Sequence, residues 1–237
     1  MPSELGNATL AAFSTAVATW YGSPTGAGSG GACGFENDVI NAPYYGMISA
    51  GNQKIFRSGA GCGTCYSIKC SENPSCSGAP ISVTITDECP GACNNEPFHF
   101  DLSGKAFGSL AKRGQADALR KAGRINVQYT RIRCRYKSNI AFKIDKGSNP
   151  FYLSFAVEDV NGDGELAGVA ILPQGWKSWA PMQRVFGETW KFDVPSAAAG
   201  PYSVRLTDST RTSVVARNVI PVNWAPQKTY YSIVNFA

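Results

Sequence analysis

The sequence predicts a mostly β chain in two domains, a disulfide-braced β-barrel followed by a β-sandwich, and three observations carry that reading. All eight cysteines fall within the first 134 of 237 residues, so the two halves are stabilised by different means. Helical patterning is confined to residues 104–122, while the rest of the first half reads as short strands between Gly-rich loops. After Gly147-Ser148-Asn149-Pro150 comes a cysteine-free run of roughly ninety residues with period-two alternation and regular turns, the pattern of a sandwich.

Taken in order, residues 1–17 read as an N-terminal extension. It carries one glycosylation sequon, Asn7-Ala8-Thr9, and Met1 to Thr9 lacks the basic flank of a signal peptide, so the numbering is expected to begin near a mature end. Residues 18–136 form the barrel, with strands expected at 18–21, 81–86, 98–102 and 125–136, the last marked by alternating Val127, Tyr129, Arg131 and Arg133. The helix at 104–122 carries Lys112, Arg113, Arg120, Lys121 and Arg124 as a solvated face. Residues 137–146, basic and mostly polar, read as a linker, and 147–237 as the sandwich, where Tyr152, Ser154 and Ala156 alternate with Leu153, Phe155 and Val157.

Composition excludes several classes of function. A net charge of +5 favours an acidic polymer without being a nucleic-acid signature, and nothing reads as a membrane span. Cys62-Gly-Thr-Cys65 and Cys89-Pro-Gly-Ala-Cys93 superficially suggest zinc, but the chain has a single histidine and these cysteines sit in Gly-rich loops, so disulfides in an oxidising compartment are the preferred reading. Asp159-Val-Asn161-Gly-Asp163-Gly164 matches the first half of a calcium loop, yet its twelfth position is Ala170 and its flanks read as strands. A hairpin turn is expected there, and no metal or cofactor anywhere.

That single histidine lies in Pro97-Phe98-His99-Phe100-Asp101-Leu102, where apolar neighbours pull a carboxylate partly out of water. Desolvation raises a carboxyl pKa, which makes Asp101 a candidate proton donor. Thr19-Trp20-Tyr21-Gly22 before a Gly-rich loop, and Thr86-Asp87-Glu88 closing a strand, add hydroxyls, rings and carboxylates. These are the groups that line sugar-binding grooves, because sugars offer apolar C–H faces to rings and hydroxyl rims to carboxylates. Adjacent strand positions point to opposite faces, so one of Trp20 and Tyr21 is expected in the core.

These runs, together with Gly30-Gly31-Ala32-Cys33-Gly34, Gly61-Cys62-Gly63-Thr64-Cys65-Tyr66, Thr86-Asp87-Glu88-Cys89-Pro90 and His99-Phe100-Asp101-Leu102-Ser103-Gly104, resemble plant expansins. The likeness is greatest to β-expansins, the group that includes grass-pollen group 1 allergens, and it runs from about Ala18 to the C-terminus in family order. It implies a double-psi β-barrel and an immunoglobulin-like sandwich that binds cellulose, carbohydrate-binding module family 63. It also implies the pairings Cys33–Cys62, Cys65–Cys134 and Cys70–Cys76, with Cys89–Cys93 left by elimination.

The barrel further resembles that of inverting endoglucanases of glycoside hydrolase family 45, which share the His-Phe-Asp-Leu run and use its Asp as general acid. Asp101 inherits that position, with Thr19, Trp20, Tyr21, Asp87 and His99 as groove neighbours. Inversion needs a second carboxylate roughly 6.5 to 9.5 Å away. The expected base position is here Gly22-Ser23-Pro24, and Glu36 and Asp38 are the remaining local candidates. In the sandwich the resemblance assigns cellulose stacking to Tyr152 and Trp190, leaves Trp179 and Trp224 to packing, and marks Phe186 as a departure where relatives often carry Trp. The implied function is that of a secreted, monomeric plant wall protein. It binds cellulose and matrix polysaccharide such as arabinoxylan and loosens their contacts without hydrolysis. A weak inverting endoglucanase and a plain carbohydrate-binding lectin are the alternatives.

Overall fold

In a computed structural model, residues 12–28, 30–195, 198 and 200–237 are described, and Asn7 lies outside them. The first six strands are β1 (Ser14–Tyr21), β2 (Ile48–Gly51), β3 (Cys65–Lys69), β4 (Ile81–Glu88), β5 (His99–Ser103) and β6 (Ile125–Ile132). They close into a barrel in the order β1-β5-β2-β4-β3-β6. The β1/β5 and β2/β4 pairs are parallel and the rest antiparallel. Phe100, Leu102, Ile85, Val83, Ile68 and Ala18 fill the interior, and the alternate positions face outward.

Strand β1 begins before the expected position, because Ser14 to Val17 pair in register with Asn126 to Tyr129 of β6. Those residues therefore belong to the barrel and not to an extension. The helix expected over 104–122 is two helices, α2 (Gly104–Ser109) and α3 (Ala116–Ala122). The short disulfide loop Cys70–Cys76 interrupts it: Ser77 N–H donates to Leu110 O, and Lys112 N–H to Ser75 O, so this backbone is paired away from a helix. A short helix, α1 (Gln53–Phe56), follows β2.

The second domain contains β7 (Ala141–Ile144), β8 (Tyr152–Glu158), β9 (Leu166–Pro173), β10 (Ala180–Pro181), β11 (Gln183–Phe186), β12 (Thr189–Asp193), β13 (Tyr202–Asp208), β14 (Ser213–Ile220) and β15 (Thr229–Tyr231). A four-stranded sheet, β10-β9-β13-β14, faces a five-stranded one, β11-β12-β8-β7-β15. The sandwich starts inside the stretch expected as linker. Ile140, Phe142 and Ile144 are buried in its core, a period-two signal masked by the intervening Lys143 and the charged flanks.

Disulfides join Cys33 to Cys62, Cys65 to Cys134, Cys70 to Cys76 and Cys89 to Cys93. The Cys65–Cys134 bridge closes 69 residues, and loop-closure entropy of that length corresponds to about 4 kcal/mol. Replacing both with Ser is expected to lower the thermal midpoint by at least about 10 °C, read by calorimetry.

The calcium-like motif folds as a turn between the two sheets rather than a hairpin, since β8 and β9 lie in opposite sheets. Its Asp163 accepts from Arg131 at 2.8 Å, and Glu165 pairs with both Arg57 and Arg131. Gly164, at φ 74, lies so close to Gly63 that a Cβ there would come within 2.6 Å of the Gly63 carbonyl. The turn therefore seats the sandwich on the barrel.

Beside it, burial raises the pKa of Glu158 well above its ordinary value and that of Asp159 to about 6, with the charge of Asp38 adding to both. A carboxyl with a raised folded-state pKa stabilises the fold below its unfolded pKa and loses that contribution as pH rises through the folded value. The thermal midpoint is thus expected to fall between pH 4 and about pH 6, and Asp159→Asn to flatten that slope.

Candidate polysaccharide-binding groove

One row of outward-facing residues crosses four barrel strands. Thr19 of β1 is in register with Asp101 of β5, Asp101 with Ala50 of β2, and Ala50 with Asp87 of β4. Asp87 reaches this face only because the β2/β4 register slips between Ser49 and Ala50. By simple alternation from Val83 and Ile85, Asp87 would point into the barrel; the bulge re-aims it. Between the two carboxylates the row carries only the methyl group of the buried Ala50. Ser103 then ends β5 by capping α2, its Oγ accepting from Ala106 N–H at 3.0 Å, which fixes the strand end that carries Asp101.

The Thr19 hydroxyl donates to Asp101 Oδ1 at 2.5 Å and lies 2.8 Å from His99 Nε2. With its proton committed to the carboxylate, this hydroxyl accepts from His99, so the neutral imidazole carries its proton on Nε2. Burial lowers the His99 pKa, which keeps it neutral. Burial raises that of Asp101, opposed by the Thr19 hydrogen bond and His99 and reinforced by the charge of Asp87. Asp87 Oδ1 accepts from Ala32 N–H and Glu88 N–H, both at 2.8 Å, and ties the Gly-rich loop to the end of β4. Tyr21 closes the other side: its hydroxyl occupies the space a Cβ on Gly28 would need, and Gly28 sits at φ 72.

Trp20 does not join this row. It points to the opposite face, packs against the barrel core and donates from Nε1 to Arg120 O at 3.1 Å. Alternation along β1 turned one of the two rings toward the core, and it is the half-buried Trp20 that packs there.

Trp190 is likewise a core residue, 5% exposed, with Nε1 donating to Glu188 Oε2 at 3.2 Å and the Arg184 guanidinium over its ring at 4.4 Å. Its partner across the ladder is Phe155, an inward position. The outward face of that sheet carries Tyr152, with Lys191 Nζ 5.9 Å from its ring centre, and Phe186, which is 46% exposed on the edge strand β11. Cross-strand partners carry a row from Phe186 through Thr189 and Ala156 to Lys143. Phe186 is thus the aromatic that sequence reading left without a role; its position on an edge strand, one residue before a glycine, was the available signal. Trp224 packs against the sandwich core, whereas the half-buried Trp179 lies under the Arg205 guanidinium.

A cavity of about 310 Å³ lies between the two domains, bounded by Gly31, Gly34 and Glu36 on the barrel and by Phe186, Thr189 and Lys143 on the sandwich.

Residues 140–221 match a family model described as Expansin C-terminal domain, and residues 48–129 match one described as Lytic transglycolase, the double-psi barrel type. Expansin-B4 of Arabidopsis thaliana is 54% identical over 231 residues, covering 96% of this chain and 89% of that protein. The chain belongs to the expansin family. Expansin-B1 of Zea mays is 47% identical over 230 residues, covering 94% of this chain and 83% of the relative. A mutant Clavibacter michiganensis expansin, solved in complex with cellohexaose, superposes with a TM-score of 0.72 at 22% identity, over 95% of this chain and 98% of that one. Both domains and their order are those of that expansin.

In this expansin the remaining base candidates are engaged elsewhere. Glu36 and Asp38 both pair with Lys143 of the sandwich, at 2.9 and 2.8 Å. Gly22 and Ser23 form a turn, with Gly26 N–H donating to Ser23 O at 2.9 Å.

Proposed function

We propose that this protein is a secreted plant cell-wall protein that grips a glucan chain in the barrel groove, anchors its sandwich on cellulose and loosens wall contacts without cutting. The observation that carries the proposal is the row Thr19–Asp101–Ala50–Asp87: an acid is in place, and the carboxylate beside it, Asp87, sits on the same face and holds a loop. Glu36 and Asp38 both pair with Lys143 and serve the domain junction. An acid with no base across the sugar holds a chain and does not activate water. The open aromatic face of Tyr152 and Phe186 suits the flat ring faces of cellulose or of a neighbouring matrix chain such as arabinoxylan, and the expansin crystallised with cellohexaose points to the same ligand class. The protein works as a monomer because both surfaces lie on one chain.

Two measurements made together test this. Heat-killed wall strips under constant load are expected to extend when the protein is added, and cellulose and xylan incubated with it are expected to release no reducing ends above buffer. Reducing ends that accumulate with time and disappear in Asp101→Asn would establish a hydrolase instead. Binding without extension would leave a lectin.

A further inference from the structure

Around the barrel from the Asp101 row, two adjoining cavities of about 370 and 220 Å³ share Pro43, Tyr45, Arg135 and Tyr136. None of their lining residues belongs to the Thr19–Asp101–Asp87 row or to the outward face of the sandwich. Tyr45 is 58% exposed, although its neighbour Tyr44 is buried against Phe35 and Tyr136. It is held at φ 46, a conformation costly for a residue with a bulky side chain, by hydrogen bonds from its own N–H to Asn41 O (2.7 Å), from Gly46 to Val39 and from Met47 to Tyr44. The ring is thus displayed on a rigid turn.

Beside it run Arg133, Arg135 and Lys137, exposed at alternate positions, while Cys134 is buried and Tyr136 anchors to Thr84 Oγ1 at 2.6 Å. Arg133 donates to Ala237 O. Among the described residues no carboxylate pairs with Arg135 or Lys137. An exposed ring flanked by two unneutralised cations in a concave surface matches a sugar that carries its own carboxylate: the C–H face stacks on the ring, and the guanidinium takes the carboxylate in a forked pair.

We propose that Tyr45, Arg135 and Lys137 form a second saccharide site, selective for a hexuronate residue of an acidic matrix polysaccharide. The site rests on the polysaccharide-binding reading above and extends it, giving the protein a hold on an acidic chain while the groove holds a neutral one.

The test compares the full-length protein with Arg135→Gln/Lys137→Gln, with Tyr45→Ala, and with Arg113→Gln/Lys121→Gln, which removes the same charge from the exposed side of α3 and its preceding loop. Binding isotherms are read on glucuronate-substituted xylan, on polygalacturonate, on the same xylan after carboxyl reduction, and on cellulose. The double variant at the site is expected to bind the uronate polymers at least about tenfold more weakly and Tyr45→Ala severalfold more weakly, with cellulose binding unchanged. Carboxyl-reduced xylan is expected to bind parent and double variant alike. A loss confined to one uronate polymer also supports the site and identifies the source of the carboxylate. Unchanged binding, or an equal loss in the α3 control, overturns it. A parent that neither binds cellulose nor extends wall strips defeats the proposed function, a result read independently of the uronate comparison.

Discussion

Asp101→Asn is expected to reduce wall extension by at least about tenfold while leaving the thermal midpoint within a few degrees of the parent. The amide matches the carboxyl in shape and still accepts from the Thr19 hydroxyl, so the barrel is not disturbed. What it removes is the ionisable group. A carboxyl forms stronger hydrogen bonds to a glucan than an amide does, and each 1.4 kcal/mol or so of lost interaction is about tenfold in binding. The pH profile follows from the same geometry: burial raises the Asp101 pKa, so its protonated, donating form is populated further toward neutrality than for an ordinary aspartate. Extension by the parent is expected to rise as pH falls through that value, and the residual extension of Asp101→Asn to be flat across the same range. Constant-load creep of heat-killed strips, buffered from mildly acidic to neutral pH, measures both. A variant that extends walls as the parent does, with the parent's pH slope, removes Asp101 from the mechanism.

The second large effect separates two aromatic residues that lie four positions apart. Trp190→Ala deletes a core ring, leaves Glu188 without its indole donor and strips the packing under Arg184, so a loss of about 3–5 kcal/mol in stability is expected. Phe186→Ala and Tyr152→Ala delete an exposed and a half-buried ring from the outward face, and their thermal midpoints are expected to change by no more than a few degrees. Their cost falls on cellulose instead, with the bound fraction at fixed protein reduced severalfold for either and more for the pair. Calorimetry and cellulose depletion assays on the three variants decide the matter. If Trp190→Ala melts with the parent but no longer binds cellulose, the ring stacks on sugar and the inward assignment fails.

Much of the fold was legible because barrel and sandwich leave strong local marks. Tyr152 outside and Leu153, Phe155 and Val157 inside follow from alternation, and the cysteines ahead of Gly147 announce a loop-rich first domain. What misled the reading was local as well. Charges around Lys143 concealed a strand whose inward residues are only Phe142 and Ile144, with the buried Ile140 just ahead of it. Across 104–122 the local break was Gly114, which sits at φ 79, and the distant Cys70–Cys76 loop, pairing with Leu110 and Lys112, holds the backbone before it out of a helix.

The candidate site divides the same way. Sequence by itself determined which residue types are present: an Asp in an apolar run, a Thr and a Tyr two positions apart on one strand, an acid after Thr86, and a glycine and a serine directly after Tyr21. Tertiary structure decided which of them meet. A register slip in β4 turns Asp87 toward Asp101, strand pairing sets Thr19 against both His99 and Asp101, and Lys143 of the second domain pairs with Glu36 and Asp38. It also placed Trp190 inward and Phe186 outward, because the face a strand residue occupies depends on the sheet it joins, and a one-residue change of register reverses every side chain.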